Sequence, residues 1–487
     1  MKIRSVKFNF IMNFILTASA IIFPLITFPY ISRVLGAVGN GKVAFAASVV
    51  TYFAMFASLG IPTYGIRACA KVRDDREELS RTVQELLIIN AVTTAVTFGV
   101  FLVTLVGIPK FAAQKELLLI NSVTLLLNMI GVTWLYTALE QYAYITLRTL
   151  LFKVLSIVMM FAVVRHPEDY MVYGAISVFA GGGSNVLNFL NLRRYVSLKK
   201  TGAYHFREHV KPILIFFSTS AAISVYTNLD VVMLGFLKTD ADVGYYNAAI
   251  KVKVLLVSLI TSLGTVLLPR LSYYIEKNQK EEFHRIIGKA FQFVFVLAAS
   301  VMVYFMLFAE ESILFLAGTG FEGAVLPMIF LMPTVLFIGL SNVTGIQMLT
   351  PMGQEKKVLY SILCGAVIDF LLNLWLIPKT GASGAAFATM VAELAVVAVQ
   401  ALYLRDSLGT ILKNAGIRKV LVATAGAGIV AWGIKQLPVP SVFLMLVVSA
   451  VGYFGIYGIL LLVQKESFTC GILGNGVEWW RSRRRGK

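Results

Sequence analysis

Ala290-Phe-Gln-Phe-Val-Phe-Val-Leu-Ala-Ala-Ser-Val-Met-Val-Tyr-Phe-Met-Leu-Phe-Ala309 carries no charged side chain. Wound as an α-helix, an apolar run of this length spans about 30 Å, the thickness of a bilayer's hydrocarbon core. Its flanks differ in sign. Before it, residues 270–289 hold Arg270, Lys277, Lys280, Arg285 and Lys289. After it come Glu310, Glu311 and Glu322, with no Lys or Arg until Lys356. Cationic loops stay on the cytoplasmic side of a membrane, so this segment reads as a helix running from inside to outside.

The same reading extends along the whole chain. Hydrophobic residues make up 58% of it, charged residues 14%, and the mean hydropathy is +0.79. Fourteen apolar runs follow one another, at 8–31, 43–62, 83–107, 117–138, 149–164, 171–192, 213–237, 244–267, 290–309, 325–349, 358–377, 384–404, 420–436 and 441–463. Period-two alternation is absent, which argues against a β-barrel. The first run is too long for a signal-peptide core and has no small-residue cleavage site, so it reads as a retained helix. The expectation is an all-α polytopic membrane protein with 14 transmembrane helices.

Most Lys and Arg fall at the N-terminus, in every second loop and in the C-terminal tail, which places both termini in the cytoplasm and the chain in the inner or plasma membrane. The net charge of +18 is thereby a topology signal. It is divided among separate loops, which argues against a nucleic-acid partner. The tail residues Trp479, Trp480, Arg481, Arg483, Arg484, Arg485 and Lys487 form an aromatic anchor followed by a cluster suited to anionic membrane lipids.

An internal repeat organises the helices. Ser58-Leu59-Gly60 recurs as Ser262-Leu263-Gly264; Gly41, Ala46 and Arg67 recur as Gly244, Ala249 and Arg270; Leu35-Gly36 recurs as Leu234-Gly235. Each unit holds six helices. Six is even, so the units enter the membrane in the same direction and relate by a pseudo-twofold axis along its normal. The domains expected are an N-terminal six-helix bundle at 1–192, a cytoplasmic linker and hinge at 193–212, a C-terminal six-helix bundle at 213–404, and two further helices with a basic tail at 405–487.

Several readings fall away. Gly36-Ala-Val-Gly-Asn-Gly41-Lys42-Val43 approaches a phosphate-binding loop, but Val43 stands where a hydroxyl residue would bind magnesium and no strand precedes it. It reads as a tight turn between two helices. Cys69, Cys364 and Cys470 are too scattered for a disulfide framework or a metal site. His166, His205, His209 and His284 read as loop residues, and none pairs with a nucleophile motif. No catalytic constellation and no cofactor site emerges, so the chain reads as a transporter rather than an enzyme.

Polar groups inside apolar runs are the functional candidates, because hydrocarbon is a poor place for them. Asn9, Asn13, Asn228, Asp230, Lys251 and Lys253 face a watery interior on this argument. Lys251 and Lys253 point about 200° apart on one helix, so they cannot line the same narrow cavity. Lys251 is the cavity candidate, with Asp230 as its counter-charge. Asp369 and Glu393 are ion-coupling candidates or interhelical hydrogen-bonding groups. Arg67 and Arg270, equivalent in the repeat, either anchor helix ends or grip a pyrophosphate, whose oxygens match the guanidinium fork. Arg148 carries the same two readings.

The chain resembles the polysaccharide flippase family, the Wzx type within the multidrug/oligosaccharidyl-lipid/polysaccharide exporter superfamily. The stretches that carry the resemblance are Phe28-Pro-Tyr-Ile-Ser-Arg-Val-Leu-Gly36, Leu59-Gly-Ile-Pro-Thr-Tyr-Gly-Ile-Arg67, Leu139-Glu-Gln-Tyr142, Asn228-Leu-Asp-Val-Val-Met-Leu-Gly235, Val243-Gly-Tyr-Tyr-Asn-Ala-Ala-Ile-Lys251, Leu268-Pro-Arg-Leu-Ser272 and Ile377-Pro-Lys-Thr-Gly-Ala-Ser-Gly-Ala-Ala386. Together they cover about residues 5–465. The resemblance implies alternating access of two bundles around a cationic cavity, and transport of an undecaprenyl-pyrophosphate-linked oligosaccharide from the inner to the outer leaflet. It implies Arg67, Arg148, Lys251 and Arg270 as contacts to the anionic headgroup, with Asn228 beside them. It also implies partners in the glycosyltransferases and polymerase of the same pathway. A multidrug antiporter of the same superfamily is the alternative. It would want an acidic cavity and commonly has twelve helices. A polymerase or ligase would want a large outer loop, and the outer loops here are short.

Overall fold

The computed structural model describes residues 5–200, 202–413 and 416–471, and the tail anchor expected at 479–487 lies outside them. The described residues form helices and no strands. Contacts divide the chain into two compact units, Met1–Gly244 and Tyr245–Lys487.

The first unit contains α1 (Val6–Ser58), α2 (Ile61–Lys71), α3 (Arg76–Gly107), α4 (Pro109–Ala113), α5 (Lys115–Gly131), α6 (Thr133–Ala138), α7 (Tyr142–Val163), α8 (Tyr170–Val178), α9 (Ser184–Leu192), α10 (Phe206–Leu237) and the first residues of α11 (Asp240–Glu276). The second holds the rest of α11, then α12 (Lys280–Leu307), α13 (Ala309–Ala317), α14 (Val325–Ser341), α15 (Glu355–Thr380), α16 (Ala382–Tyr403), α17 (Arg405–Lys413), α18 (Ile417–Lys435) and α19 (Val442–Val463).

Among the described residues, 11 stretches are long and apolar enough to cross a membrane, against the 14 expected. Three places account for the difference. The first two runs lie in one stretch, Phe8–Lys71, of 64 residues. At 1.5 Å per residue that is about 96 Å, three times the hydrocarbon thickness. It breaks at Gly36, whose φ of 65° and ψ of −176° are non-helical. The outer loop expected there shrinks to that glycine, and a side chain would be strained at this φ. The run at 117–138 is divided by Val132, left-handed at φ 37°, into α5 and α6. The run at 171–192 is divided by a π-helical turn, Phe179–Gly183. The long membrane-facing sides are apolar: Val106, Ile429 and Leu402 are 83%, 72% and 70% exposed. The chain is a multi-pass membrane protein.

Local chemistry sets the helix boundaries. Asp75 caps α3 by accepting from the Glu77 and Glu78 amides at 2.8 and 3.1 Å, with both glutamates in the favourable first turn. In the second unit α15 and α16 are antiparallel and pack through small residues. Gly365 lies against Ala392 and Val396, and Gly384 against the Leu376 carbonyl, with no room for a methyl at either glycine. That is the usual means of bringing membrane helices close. Helices α18 and α19, outside the repeat, pack on α12. There Tyr304 donates to the Leu446 carbonyl at 2.9 Å and Tyr457 to the Val296 carbonyl at 2.7 Å.

Two of the four histidines are not loop residues. His209 is buried inside α10 and His284 lies in α12. Residue separations of more than a hundred hide the reason from the sequence. Glu85 of α3, 2% exposed, bonds His209 Nε2 at 2.7 Å and accepts from the His205 amide at 2.6 Å. Tyr64 Oη bonds His209 Nδ1 at 2.8 Å. Gln84 donates to the carbonyls of Ser197 and Lys199 and accepts from Tyr204 Oη. The segment expected to act as a hinge is therefore fastened to α3 along much of its length.

Candidate functional site

In the first unit the charged interior is built on α7. Arg148 is 6% exposed. Its Nη1 donates to Ser184 Oγ at 2.6 Å and its Nη2 to Thr133 Oγ1 at 3.2 Å. The guanidinium carbon stands 5.8 Å from the Tyr144 ring centroid. Its Nε has no hydrogen-bond partner among the described residues. The left-handed Val132 turns Thr133 toward this cluster. The glycines of the π-helical turn let α9 come close: Gly183 lies against Phe152 of α7, and Gly182 against Leu127 of α5. Asn188, fully buried, donates to Thr133 Oγ1 at 3.2 Å and to the Gly131 carbonyl. Every described partner of Arg148 is neutral.

A second cation on α7 escaped the sequence reading. Lys153 stands inside the apolar run 149–164. Its Nζ donates to Ser19 Oγ at 3.0 Å and lies 5.3 Å from the Phe23 ring centroid, both on α1. It too makes no ion pair among the described residues. The signal was there to find, since a lysine within such a run is costly unless it is used.

Arg67 is exposed on α2, a separate helix whose buried Ile61, Gly65 and Cys69 form the opposite face. Gly65 seats that face on Trp134. On α10, Asp230 is buried at 6% exposure, and Asn228 is half-buried with its amide donating to the Ser224 carbonyl and to Thr227 Oγ1, both at 3.1 Å. Nearby in sequence to the Arg148 cluster, Glu140 accepts from Arg73 at 2.9 Å and from Asn9 at 3.4 Å, so Asn9 is buried in protein and Asn13 is exposed.

In the second unit, Lys251 is exposed and Lys253 half-buried, as their angular separation on α11 requires. Lys251 lies about 16 Å along the helix from Asp240. Arg270 lies three residues past the end of the apolar run 244–267, about 4.5 Å further on. Its Nε donates to Tyr274 Oη at 3.0 Å. The two repeat-related arginines thus sit in unlike surroundings, one on a short separate helix and one in the last turns of a long continuous one.

Asp369 and Glu393 are buried at 1% and 7% exposure in the α15–α16 contact. The Gln400–Ser361 hydrogen bond, 2.9 Å, and the Gly365–Val396 contact set the antiparallel register. That register puts Asp369 level with Ala392 and Glu393. Asn373 and Thr389, one turn along their respective helices, are buried too, and Thr389 Oγ1 bonds Tyr246 Oη of α11 at 2.9 Å.

The family model described as polysaccharide biosynthesis protein matches residues 6–275, and the MatE model matches residues 216–375. A relative from Escherichia coli (strain K12), named as an O-antigen transporter, is 24% identical over 415 residues, 83% of this chain and 97% of its own. A relative from Haloferax volcanii, named as a low-salt glycan biosynthesis flippase, is 23% identical over 164 residues, 34% of each chain. Among solved structures, the lipid II flippase MurJ in an inward closed conformation superposes with a TM-score of 0.75 at 14% identity, over 93% of this chain and 98% of that one. An inward-facing multidrug resistance MATE family transporter gives 0.59 at 15% identity, over 81% and 99%. At these identities the structural likeness is one of fold.

Proposed function

We propose, from the premise that this chain belongs to the polysaccharide biosynthesis protein family, that it flips an undecaprenyl-pyrophosphate-linked oligosaccharide from the inner to the outer leaflet by alternating access. The observation that carries the proposal is the cationic interior of the first unit. Arg148 and Lys153 lie on one membrane helix with hydroxyl and ring partners and no described carboxylate. An uncompensated cation within a membrane is expensive, and a phosphate-bearing substrate offsets that cost. In the second unit Lys251, exposed about 16 Å into α11, offers a further cation, and in the first unit Asn228 and Asp230 offer polar groups. Arg67 and Arg270, placed toward helix ends, meet the headgroup as it enters. Asp230, Asp369 and Glu393 serve ion coupling. The chain makes and breaks no covalent bond of its substrate.

The arrangement proposed around this chemistry has fourteen crossings, both termini cytoplasmic in the inner or plasma membrane, and two six-helix bundles joined through 193–212. Glycosyltransferases and a polymerase of the same pathway supply and consume the substrate. Cysteines placed in 310–322 react with impermeant reagents from outside, and cysteines in 199–211 from inside.

Reconstituted vesicles test the proposal. Wild type moves the pyrophosphate-linked glycolipid, and Arg148→Gln and Lys153→Met each lose most of that activity while inserting normally. Wild-type rates in both variants refute the assignment. The MatE match favours a second reading, export of lipophilic cations. Ethidium efflux by the wild type, with no flipping of the glycolipid, would establish that reading instead.

A further inference from the structure

On the face that the charge asymmetry assigns outward, the first unit has a cavity of about 420 Å³. It lies within the range of pockets that hold small ligands, about 300–1,000 Å³. Its lining converges from four separate segments: Lys42 of α1, Lys110 of α4 with Gln114 and Lys115 after it, Tyr170 of α8, and Asp240 at the start of α11. Three amines and the carboxylates of Asp240 and Glu116 thus share a small volume, which leaves one positive charge in excess.

The hydrogen bonds indicate which anion suits the site. Lys110 Nζ and Gln114 Nε2 both donate to Asp240 Oδ1, at 2.9 and 3.0 Å. This pair of donors already holds one carboxylate. Lys42 and Lys115 make no ion pair among the described residues. Lys42 Nζ instead stands 4.5 Å over the centroid of the Tyr170 ring. The oxygen of the Gln114 amide is buried without a hydrogen-bond partner among the described residues, so the site also presents an acceptor that a hydroxyl would satisfy. Two unpaired amines, an aromatic face and an orphan acceptor are together what an acidic sugar needs. The amines take its carboxylate, the ring face its apolar C–H side, and the amide oxygen one of its hydroxyls.

We propose that this cavity is a binding site for a carboxylate-bearing saccharide, a uronic-acid unit of a glycan reaching the outer face. The proposal names the substrate class more narrowly than the flipping reading and rests on it for the source of the glycan. A carboxylate is favoured over a phosphate because the lining has a single cation in excess, three lysines against Glu116 and Asp240, which one negative charge balances.

The test is equilibrium binding to the full chain in lipid nanodiscs, read by saturation-transfer NMR and calorimetry. The probes are digalacturonic acid, cellobiose as a neutral disaccharide, and inorganic phosphate. Digalacturonate binds at least about tenfold more tightly than cellobiose or phosphate, the loss expected for one charge-assisted hydrogen bond. Lys42→Gln and Lys115→Gln each weaken it about tenfold, and Tyr170→Leu weakens digalacturonate and cellobiose alike. Both lysines lie outside the Lys110–Asp240 bond, and an unchanged thermal midpoint shows that each variant is folded. A lysine-reactive impermeant reagent gives a second reading: digalacturonate protects Lys42 and Lys115 from it. Equal affinity for cellobiose, tighter binding of phosphate, or undiminished binding in both lysine variants overturns the site. No lipid-linked substrate is present in this assay, so a wild type that binds digalacturonate but flips nothing refutes the transport reading alone. One that flips the glycolipid but ignores digalacturonate refutes the site alone.

Discussion

Gly41 and Gly244, partners in the internal repeat, meet each other's helix backbone, and a methyl group at Gly41 tests what that contact does. A Cβ on Gly41 would stand 1.6 Å from the Asp240 carbonyl oxygen, and one on Gly244 would stand 2.0 Å from the Ala37 oxygen. Ordinary contact begins at 3.4 Å, so Gly41→Ala requires the two backbones to part by about 1.8 Å. No flexible side-chain end is there to yield. Overpacking of this kind costs about 1–3 kcal/mol. If the cost falls on the contact between α1 and the α10–α11 turn, the opened population rises about five- to 150-fold. The reporter is Asn40→Cys, since Asn40 is 4% exposed, in a chain whose Cys69, Cys364 and Cys470 are replaced by alanine. Its labelling by an impermeant maleimide should accelerate by that factor in Gly41→Ala and in Gly244→Ala. Gly99→Ala is the control: nothing lies within 4 Å of a methyl there, and alanine favours the helix by about 0.5–1 kcal/mol. Labelling in Gly41→Ala within twofold of the parent would show that the contact does not hold α1 closed and would refute the reasoning.

Four further outcomes are expected. Lys251→Ala impairs flipping more than Lys253→Ala at equal expression, because only Lys251 is exposed; equal effects in the vesicle assay count against the assignment. Arg67→Lys and Arg270→Lys each cut translocation with insertion intact, since lysine lacks the two-pronged grip on a pyrophosphate; near-normal rates leave both as helix-end anchors. Glu85→Ala removes the acceptor of His209 and of the His205 amide, and leaving a buried donor without its acceptor costs about 1–3 kcal/mol, read as a lowered thermal midpoint and faster proteolysis at 193–205. The Asp169 carboxylate accepts from the Arg165 and His166 amides, both at 2.8 Å, which lowers its pKa below the ordinary Asp value. Its contribution to the loop is therefore present above the unfolded-state pKa and is lost as pH falls through the lowered folded value. The protection of those two amides, taken relative to their intrinsic exchange rates, should fall over that window in the wild type and be low and insensitive to it in Asp169→Asn.

The membrane class and most of the spans were legible because hydropathy acts over twenty residues at a time, and a local irregularity does not erase it. What was not legible depends on single residues or distant ones. Gly36 replaces a loop with one backbone torsion. Val132, a β-branched residue in a left-handed conformation, would not be picked as a break from its sequence neighbours. The π-helical turn at Phe179–Gly183 was foreshadowed only by three consecutive glycines. Arg148 sits at the border of an apolar run, so sequence leaves it equally a loop residue. Only Thr133 and Ser184, arriving from other helices, make it an interior one. The Glu85–His209 bond joins residues 124 apart. Asp369 and Glu393 were legible as charges within apolar runs, but their shared level follows from the register set by Gln400, Ser361 and the glycines of α15 and α16.

The interior charges are distributed by sign among helices. Helix α7 brings two cations into the first unit, and α15 and α16 bring two buried carboxylates into the second. In the proposed cycle the lipid pyrophosphate, an anion, is served by Arg148 and Lys153, and the coupling cation by Asp369 and Glu393. The first interior, with no described carboxylate beside Arg148 and Lys153, is costly without its anion. Such a distribution makes two ligands of opposite charge each favour the loaded form of a different unit. Coupling between them then requires only that the two loaded forms prefer the same conformation of the chain.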